Sequence, residues 1–493
     1  MDVEIVFQGD IMNKKTILQG FEWYLETEDN HFKTLETKIK SLKEMGIDSI
    51  WLPPAFKGHA GDQDSGYGVY DLYDLGEFDQ KGSVRTKYGT KEEYLNLIKT
   101  MEEEGVDLIV DIVLNHRIGA DDTEIIKANM VDNTNRYNIL ETKEIEAWTK
   151  FNFDGRNGKY SSFKWNHKHF KAVDFDVKEN REAIFLFEDK KWDVGVDAEL
   201  FNYDYLMGAD VDFNVPEVQE ELLHWIDWYY ELTKFKGVRL DAVKHIDSKF
   251  FKLALRALRK KNKEIFAVGE YWSQDLKVLN EYLMDVDFSM QLFDVPLHHA
   301  LDNASKNENF DLKTLYHGTL SSTNPNYSMT FVDNHDTQIG QSLESWVSDW
   351  FKPHAYAFIL LRDVGTPCVF YTDLYGNEHT GTPKVEHLDK LIRLRENHMH
   401  GTFYDYMDED KTVGWCYTGD DEGEGFVSLM NTGQRTLKRM FVGKRNANRT
   451  YVNLFDPEQT VTTDNDGIAF FAVHEKSCAV YVNTGGSYAA GIL

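Results

Sequence analysis

The chain of 493 residues has little cysteine, little proline and no long apolar run. Three cysteines, Cys368, Cys416 and Cys478, are too few and too far apart for a disulfide framework or a zinc motif. Nine prolines without a low-complexity tract argue against long linkers, and no apolar run reaches the length of a membrane span. The low cysteine count suits a reducing compartment. We therefore expect a cytoplasmic protein, with secretion after removal of a signal peptide as the alternative.

Basic residues are also few, with 54 Lys and Arg against 83 Asp and Glu, for a net charge of −29. A surface this acidic repels nucleic acid and anionic membranes, so we expect neither as a partner. It suits a neutral substrate and acidic clusters that hold cations. Aromatic residues reach 14% of the chain, and aromatic faces stack on sugar rings in carbohydrate-binding clefts. We expect a monomer acting on such a substrate.

Apolar, strand-like runs alternate with helical patterns along most of the chain. Runs of this kind are typical of parallel strands that are buried on both faces. Eight strand–helix units predict the α/β class and a (β/α)₈ TIM barrel. The predicted strands cover residues 16–21, 47–52, 106–114, 237–241, 265–270, 288–294, 328–333 and 367–371.

Two segments interrupt this alternation and predict further domains. Residues 117–210 are polar and aromatic and too long for a loop, which indicates an inserted, irregular β-rich subdomain after strand 3. Short alternating strands after residue 400 predict a C-terminal antiparallel β-sandwich. Residues 6–9 resemble a viral-protease cleavage site. The predicted divisions are an appended segment 1–12, the barrel in two parts 13–116 and 211–400, the insert 117–210, the β domain 401–484 and a tail 485–493.

Four motifs with carboxylates fall at the C-terminal ends of predicted strands, where barrel enzymes place their chemistry. They are DIVLNH at 111–116, RLD at 239–241, VGEYW at 268–272 and FVDNHD at 331–336. One such motif could arise by chance, but four of them indicate a catalytic site. A barrel metallohydrolase is the alternative, yet no His-x-His pair stands at a strand end.

The four motifs suit the hydrolysis of a glycosidic bond, which needs two carboxyl groups flanking that bond. Arg239 lies two residues before Asp241 and so points to the same side of the strand, where it would hold Asp241 ionised as a nucleophile. In isolation Arg-x-Asp is more often a salt bridge. Glu270 ends an apolar strand, and desolvation there favours the protonated form that an acid catalyst needs. Asp336, beside His335, would hold sugar hydroxyls.

These motifs resemble those of α-amylases, members of a retaining glycoside hydrolase family, in the same order along the chain. The similarity is to the liquefying bacterial type and its cytoplasmic relatives, with further long matches at 66–89 and 200–213. The resemblance implies Asp241 as nucleophile, Glu270 as general acid/base and Asp336 as the third catalytic carboxylate. It also implies a set of substrate-binding residues: Tyr67, His116, Arg239, Lys244, His245, Trp272 and His335.

The resemblance further implies calcium, a cation that takes oxygen ligands. One Ca²⁺ is expected on the side chains of Asn115, Asp204 and Asp210 and the backbone carbonyl of His245. Three more aspartates match ligands of additional metal ions in the liquefying type: Asp174, Asp193 and Asp212. At Asn214 the chain departs from the Asp usual there, so a second Ca²⁺ and a Na⁺ stay open.

The predicted function is an endo-acting α-amylase that hydrolyses internal α-1,4-glucosidic bonds in starch, glycogen and maltodextrins. It would retain the α configuration through a covalent glucosyl intermediate on Asp241. One alternative is an α-glucan transglycosylase that uses the same site. Another is a glucan-binding protein without catalysis, but such proteins usually lose a carboxylate and all three are present here.

Overall fold

The computed structural model describes residues 15–484, and its centre is a closed barrel of eight parallel strands. Neighbouring barrel strands follow one another in chain order, and β8 pairs with β1 to close the ring. The barrel strands are β1 Ile17–Gln19, β2 Ser49–Trp51, β3 Asp107–Ile112, β4 Gly237–Leu240, β5 Phe266–Gly269, β6 Gln291–Phe293, β7 Ser328–Phe331 and β8 Thr366–Phe370. The predicted TIM barrel is confirmed. The predictions for residues 1–12 and 485–493 lie outside the described residues.

Eleven α-helices are assigned within residues 15–484, most of them between consecutive barrel strands. Their starts follow local chemistry: Thr90 and Glu93 form a capping box, and Pro216 stands in the first turn of its helix. The helices are His31–Glu36, Ile39–Met45, Lys91–Glu103, Pro216–Thr233, Ser248–Lys261, Leu276–Asp285, Val295–Lys306, Leu320–Thr323, Lys352–Leu360, Tyr371–Tyr375 and Leu388–His398.

Between β3 and β4 the chain forms the predicted β-rich insert. Four antiparallel strands make its sheet: Asp122–Val131, Ile139–Lys150, Ala172–Asp176 and Arg181–Phe187. Where the insert leaves and rejoins the barrel, the short strands His116–Arg117 and Ala209–Asp210 pair with each other. A further short ladder, Lys57–Gly58 with Val69–Asp71, lies in the loop after β2. The limits 117 and 210 stay predictions.

The C-terminal part is all β, as predicted. A sheet of six strands and a pair of strands, both antiparallel, enclose an apolar core with Cys416, Met440, Phe471 and Tyr481. The six strands are Phe403–Tyr406, Thr412–Tyr417, Phe426–Asn431, Thr450–Asn453, Thr460–Thr462 and Ser477–Asn483; the pair is Thr436–Phe441 with Ile468–Val473.

The three cysteines are buried and form no disulfide. Burial raises the pKa of the Cys368 thiol to about 12, so it stays protonated and behaves as a small apolar group. Among residues 15–484 no helix is long and apolar enough to cross a membrane.

Candidate active site

The predicted catalytic carboxylates meet at one end of the barrel. Asp241 directly follows β4, Glu270 directly follows β5, and Asp336 lies in the loop after β7. Because all eight strands run in parallel, the residues at their carboxyl ends converge on the same rim. All three side chains line one cleft of about 750 Å³.

Most predicted substrate-binding residues line the same cleft. They come from the loops after β2, β3, β4 and β5, and they are Tyr67, His116, Lys244, His245 and Trp272. Arg239 and His335 are buried beside the carboxylates, which they contact. The structure therefore brings together every predicted catalytic and substrate-binding residue, although their roles stay predictions.

Arg239 donates hydrogen bonds to three carboxylates of the site. Its Nη1 donates to Asp241 Oδ1 at 2.7 Å and to Asp111 Oδ1 at 2.9 Å, while Nη2 donates to Glu270 Oε2 at 2.7 Å. Strand alternation places Arg239 and Asp241 on one side of β4, and the register of β4 with β3 sets Arg239 opposite Asp111. One guanidinium thus orients both predicted catalytic groups, whereas the sequence predicted only its contact with Asp241.

Burial and neighbouring charges shift the pKa values of two of the predicted catalytic carboxylates. Burial raises the pKa of Asp241 well above its ordinary value, Arg239 opposes that rise, and the charge of Glu270 adds to it. Burial, with the nearby Glu270 charge, raises the pKa of Asp336 to about 7. Burial thus favours the protonated forms of Asp241 and Asp336, and Arg239 favours the ionised form of Asp241. The ionised Asp241 expected from the Arg-x-Asp spacing stays a prediction.

His335 is held as a neutral ring. Gln19 Nε2 donates to His335 Nδ1 at 3.0 Å, so the ring proton lies on Nε2, which is 3.3 Å from Asp336 Oδ2. Burial lowers the pKa of His335 well below its ordinary value. The ring therefore offers a hydrogen-bond donor at Nε2 without carrying a charge.

Three rings lie nearly parallel at the floor of the cleft. The centroid of Tyr67 is 5.0 Å from that of His335, and the centroid of Trp23 is 6.0 Å from each of them, all at 10° between planes. Sequence reasoning gave no role to Gln19 or Trp23. The available signal was position, because Gln19 ends β1 and Trp23 follows it on the catalytic rim.

His116 supports Tyr67 from the loop after β3. Its Nε2 donates to the Tyr67 carbonyl at 2.7 Å, and its Nδ1 has no protein partner. Tyr67 Oη donates to Asp111 Oδ2 at 2.8 Å. Asp111 therefore links the aromatic floor to Arg239, a connection that the sequence motif did not reveal.

After Asp241 the backbone turns sharply. Ala242 has φ of 50°, a left-handed conformation that costs free energy in a residue with a Cβ atom. A single 3₁₀ turn, Val243–His245, follows and presents Lys244 and His245 to the cleft. Lys244 Nζ donates to Glu199 Oε2 at 3.1 Å, and His245 Nδ1 donates to the Tyr203 carbonyl at 2.6 Å. This turn connects β4 to the inserted subdomain.

Two of the residues predicted for the first Ca²⁺, Asn115 and Asp210, fit a cation, whereas both carboxylate oxygens of Asp204 already accept from Lys171. The paired strands His116–Arg117 and Ala209–Asp210 bring Asn115 next to Asp210, and the Val211 amide donates to the Asn115 carbonyl at 3.0 Å. Asn115 Oδ1 and Asp210 Oδ2 are buried and lack a hydrogen-bond partner. Unpartnered buried oxygens are costly, and a Ca²⁺ ion would satisfy them.

The other predicted metal ligands already have protein partners. Asp193 Oδ2 accepts from Lys171 Nζ at 2.9 Å, and Asp212 Oδ2 accepts from Lys190 Nζ at 2.8 Å. Asp174 is exposed on its strand and accepts from the Gly208 amide at 2.9 Å. Across residues 15–484 no group of three or more His, Cys, Asp or Glu side chains is arranged to hold a metal by itself.

A closed parallel barrel with three carboxylates in an aromatic-floored cleft defines a glycoside hydrolase of the TIM-barrel class. Residues 26–389 match the family model of the alpha amylase catalytic domain. The chain therefore belongs to the α-amylase family, and the resemblance seen in its motifs is confirmed.

Relatives and a solved structure agree with this assignment. The chain is 45% identical to an α-amylase of Geobacillus stearothermophilus over 476 residues, 95% of this chain and 86% of that protein. It is 38% identical to the cytoplasmic α-amylase of Escherichia coli over 490 residues, 96% of this chain and 99% of that protein. A solved Anoxybacillus α-amylase superposes with a TM-score of 0.64 at 19% identity, covering 97% and 99% of the two chains, and it supports the fold.

Proposed function

We propose that this α-amylase cleaves internal α-1,4-glucosidic bonds of starch-type glucans and retains the α configuration. The Asp241 carboxylate attacks the anomeric carbon while Glu270 gives its proton to the departing oxygen, so the glucosidic bond breaks as the glucosyl–Asp241 bond forms. Glu270 then takes a proton from water, whose oxygen displaces Asp241 from the sugar. Atoms and charge balance over the two steps.

The observation that carries this proposal is that Arg239 donates hydrogen bonds to both Asp241 and Glu270. Its two terminal nitrogens each donate to one of the two reacting carboxylates at 2.7 Å, which fixes the position of each carboxylate relative to the other. Reaction on one bond requires that the two groups keep a constant separation.

The surrounding groups would bind the sugar at the cleavage point. His335 offers its Nε2–H beside Asp336, so the pair supplies one donor and one acceptor to sugar hydroxyls. Tyr67 and Trp23 supply aromatic faces to the sugar ring. Lys244 and His245 would contact the following glucose units, because they leave the barrel on the turn directly after Asp241.

Replacement of Asp241 by Asn tests the reaction. We expect the release of reducing sugar from soluble starch to fall by a factor on the order of 10⁴ or more. Asp154, an exposed aspartate far along the insert, provides the matched control variant Asp154→Asn, which should keep full activity. Substantial turnover by Asp241→Asn would refute the assignment. Proton NMR of fresh product tests the stereochemistry, and an initial β anomer would exclude the covalent route.

Product analysis separates hydrolysis from the transglycosylase alternative. Both reactions use the same carboxylates and differ in whether water or a sugar accepts the glucosyl group. Chromatography of the products from maltoheptaose should show only shorter oligomers. Oligomers longer than the substrate would indicate transfer.

The expected calcium site also becomes a proposal, with one structural Ca²⁺ on Asn115, Asp204, Asp210 and the His245 carbonyl. When bound, this ion would hold the insert against the loop that follows Asp241. Its support is the pair of unpartnered oxygens on Asn115 and Asp210. Metal analysis should find bound calcium in the wild type and a loss of one equivalent in Asn115→Leu. An unchanged calcium content in that variant would rule out this site.

The compartment remains a proposal as well. The name of the Escherichia coli relative includes a cytoplasmic location, which favours the same for this chain. Fractionation of the producing cells tests it, and activity in the culture medium would contradict it.

A further inference from the structure

Lys171 lies at the centre of a buried acidic cluster in the insert. Its Nζ donates to Asp204 Oδ1 at 2.5 Å and Oδ2 at 2.7 Å, and to Asp193 Oδ2 at 2.9 Å. The nearest oxygen of Asp210 is 3.8 Å away. The four side chains are 1% to 5% exposed, so they form a cage that is closed to water, called here the lysine cage.

The backbone holds the ammonium in this position. The Lys171 amide donates to the Asp210 carbonyl at 2.8 Å, and the Lys171 carbonyl accepts from the Phe187 amide at 2.9 Å. Lys171 therefore lies on the segment that joins the insert to the returning strand. Asp174, three residues further in extended chain, points to the opposite face and does not enter the cage.

The oxygens next to the cage already accept hydrogen bonds from protein donors. Asp193 Oδ1 accepts from Asn214 Nδ2 at 2.5 Å, and Asp212 Oδ1 accepts from the Asn214 amide at 3.0 Å. The remaining oxygen of Asp212 accepts from Lys190. A cation bound to Asp193 and Asp212 would have to displace two ammonium groups and an amide.

The charge balance of the lysine cage also argues against a second divalent cation. Three buried carboxylates around one ammonium leave two negative charges, and one divalent cation on the Asn115 and Asp210 side neutralises them. A second divalent cation in the cage would add two uncompensated positive charges in a water-free environment, which is strongly unfavourable. The net negative charge of the lysine cage is therefore neutralised by a single Ca²⁺.

We propose that the Lys171 ammonium is a built-in cation that occupies the position of the additional metal ions, so the insert needs at most one Ca²⁺. According to this proposal, the chain binds neither a second Ca²⁺ nor a Na⁺, because the Lys171 side chain supplies the positive charge in their place. The joint between insert and barrel would be stabilised partly by a covalently attached charge, which dilution and chelators cannot remove. This inference concerns metal content and stability and does not depend on the reaction.

Exchange of the lysine for an oxygen ligand tests the proposal. Chelator-treated protein is titrated with CaCl₂ in a calorimeter, and calcium per chain is measured by mass spectrometry after dialysis. We expect Lys171→Asp to bind one more equivalent than the wild type. The exposed Lys168, three residues earlier, gives the matched control Lys168→Asp, which should bind the same amount as the wild type. Two or more equivalents in the wild type, or no gain in Lys171→Asp, would overturn the proposal.

Thermal unfolding provides the second measurement. In excess chelator, Lys171→Met leaves Asp193 and Asp204 buried without their counter-charge, so its Tm should fall by several degrees relative to Lys168→Met. Saturating Ca²⁺ should restore more of the Tm of Lys171→Asp than of Lys171→Met, because only the former adds an oxygen ligand. Equal Tm values for Lys171→Met and Lys168→Met in chelator would refute the role of the ammonium. If Lys171→Met does not fold, the wild-type stoichiometry still decides.

Discussion

Replacement of Asp336 by Asn should stabilise the protein at alkaline pH. Burial and the charge of Glu270 raise the pKa of Asp336 from 3.8 to about 7 in the folded state. Between these two pH values the folded chain holds a proton that the unfolded chain has lost. Stability therefore falls as pH rises through this window and levels off above about pH 7. Asn cannot ionise, so the variant avoids that loss.

The size of the effect follows from the shift. A change of roughly three pKa units corresponds to about 4 kcal/mol at most. The Asp336 side chain is 20% exposed and its titration is coupled to its neighbours, so we expect about 1–3 kcal/mol. Well below pH 3.8 the group is uncharged in both the folded and the unfolded states of the wild type, and the stabilities of the wild type and the variant should be similar. The Asn amide oxygen can still face His335 Nε2, which lies 3.3 Å from Asp336 Oδ2.

Calorimetric Tm values at pH 4.5 and pH 8 measure this difference without relying on extrapolation. The Tm of Asp336→Asn minus that of the wild type should be positive at pH 8 and clearly smaller at pH 4.5, where only a small part of the window from 3.8 to about 7 has been crossed. Asp154→Asn, at an exposed position, should show no pH-dependent difference. A variant that is equally or less stable than the wild type at pH 8 would show that Asp336 is ionised without cost in the folded protein.

Two further changes test the positioning of the site. Arg239→Lys should lower kcat by about 100-fold or more with little change in KM. The reason is that an ammonium cannot bind Asp241 and Glu270 at a fixed separation. A near-normal kcat in steady-state assays would contradict this prediction. Trp23→Ala should raise the KM for maltooligosaccharides by up to about 10-fold, since a stacked ring contributes ~1 kcal/mol, while kcat changes less; an unchanged KM would remove Trp23 from the binding surface.

The order of chemical groups along the chain was predictable because it depends on local patterns. Buried parallel strands are short apolar runs, and residues that follow them must lie on one rim of the barrel. Asp241 and Glu270 each follow their strand directly, so their convergence could be inferred before any distance was known. The resemblance to α-amylases added their roles, and the family match confirmed the class of enzyme.

Side-chain contacts across long sequence separations were not predictable. Arg239 binds Asp111, 128 residues away, and Glu270, 31 residues away. These contacts exist because the barrel closes and sets the three strands in register. Gln19 reaches His335 across 316 residues for the same reason. No local pattern indicates which donor meets which acceptor over such distances.

The amino-acid sequence by itself determined the barrel, the insert, the β domain and the residues that carry the chemistry, since periodicity and residue type are local properties. Only the tertiary structure decided the direction in which the pKa values of the buried carboxylates shift. Burial raises the pKa of Asp241 although an Arg lies two positions away. The fold also places Lys171 among aspartates that were predicted to hold metal. Electrostatic free energy depends on distance and on exclusion of water, and both are set by the folded chain as a whole.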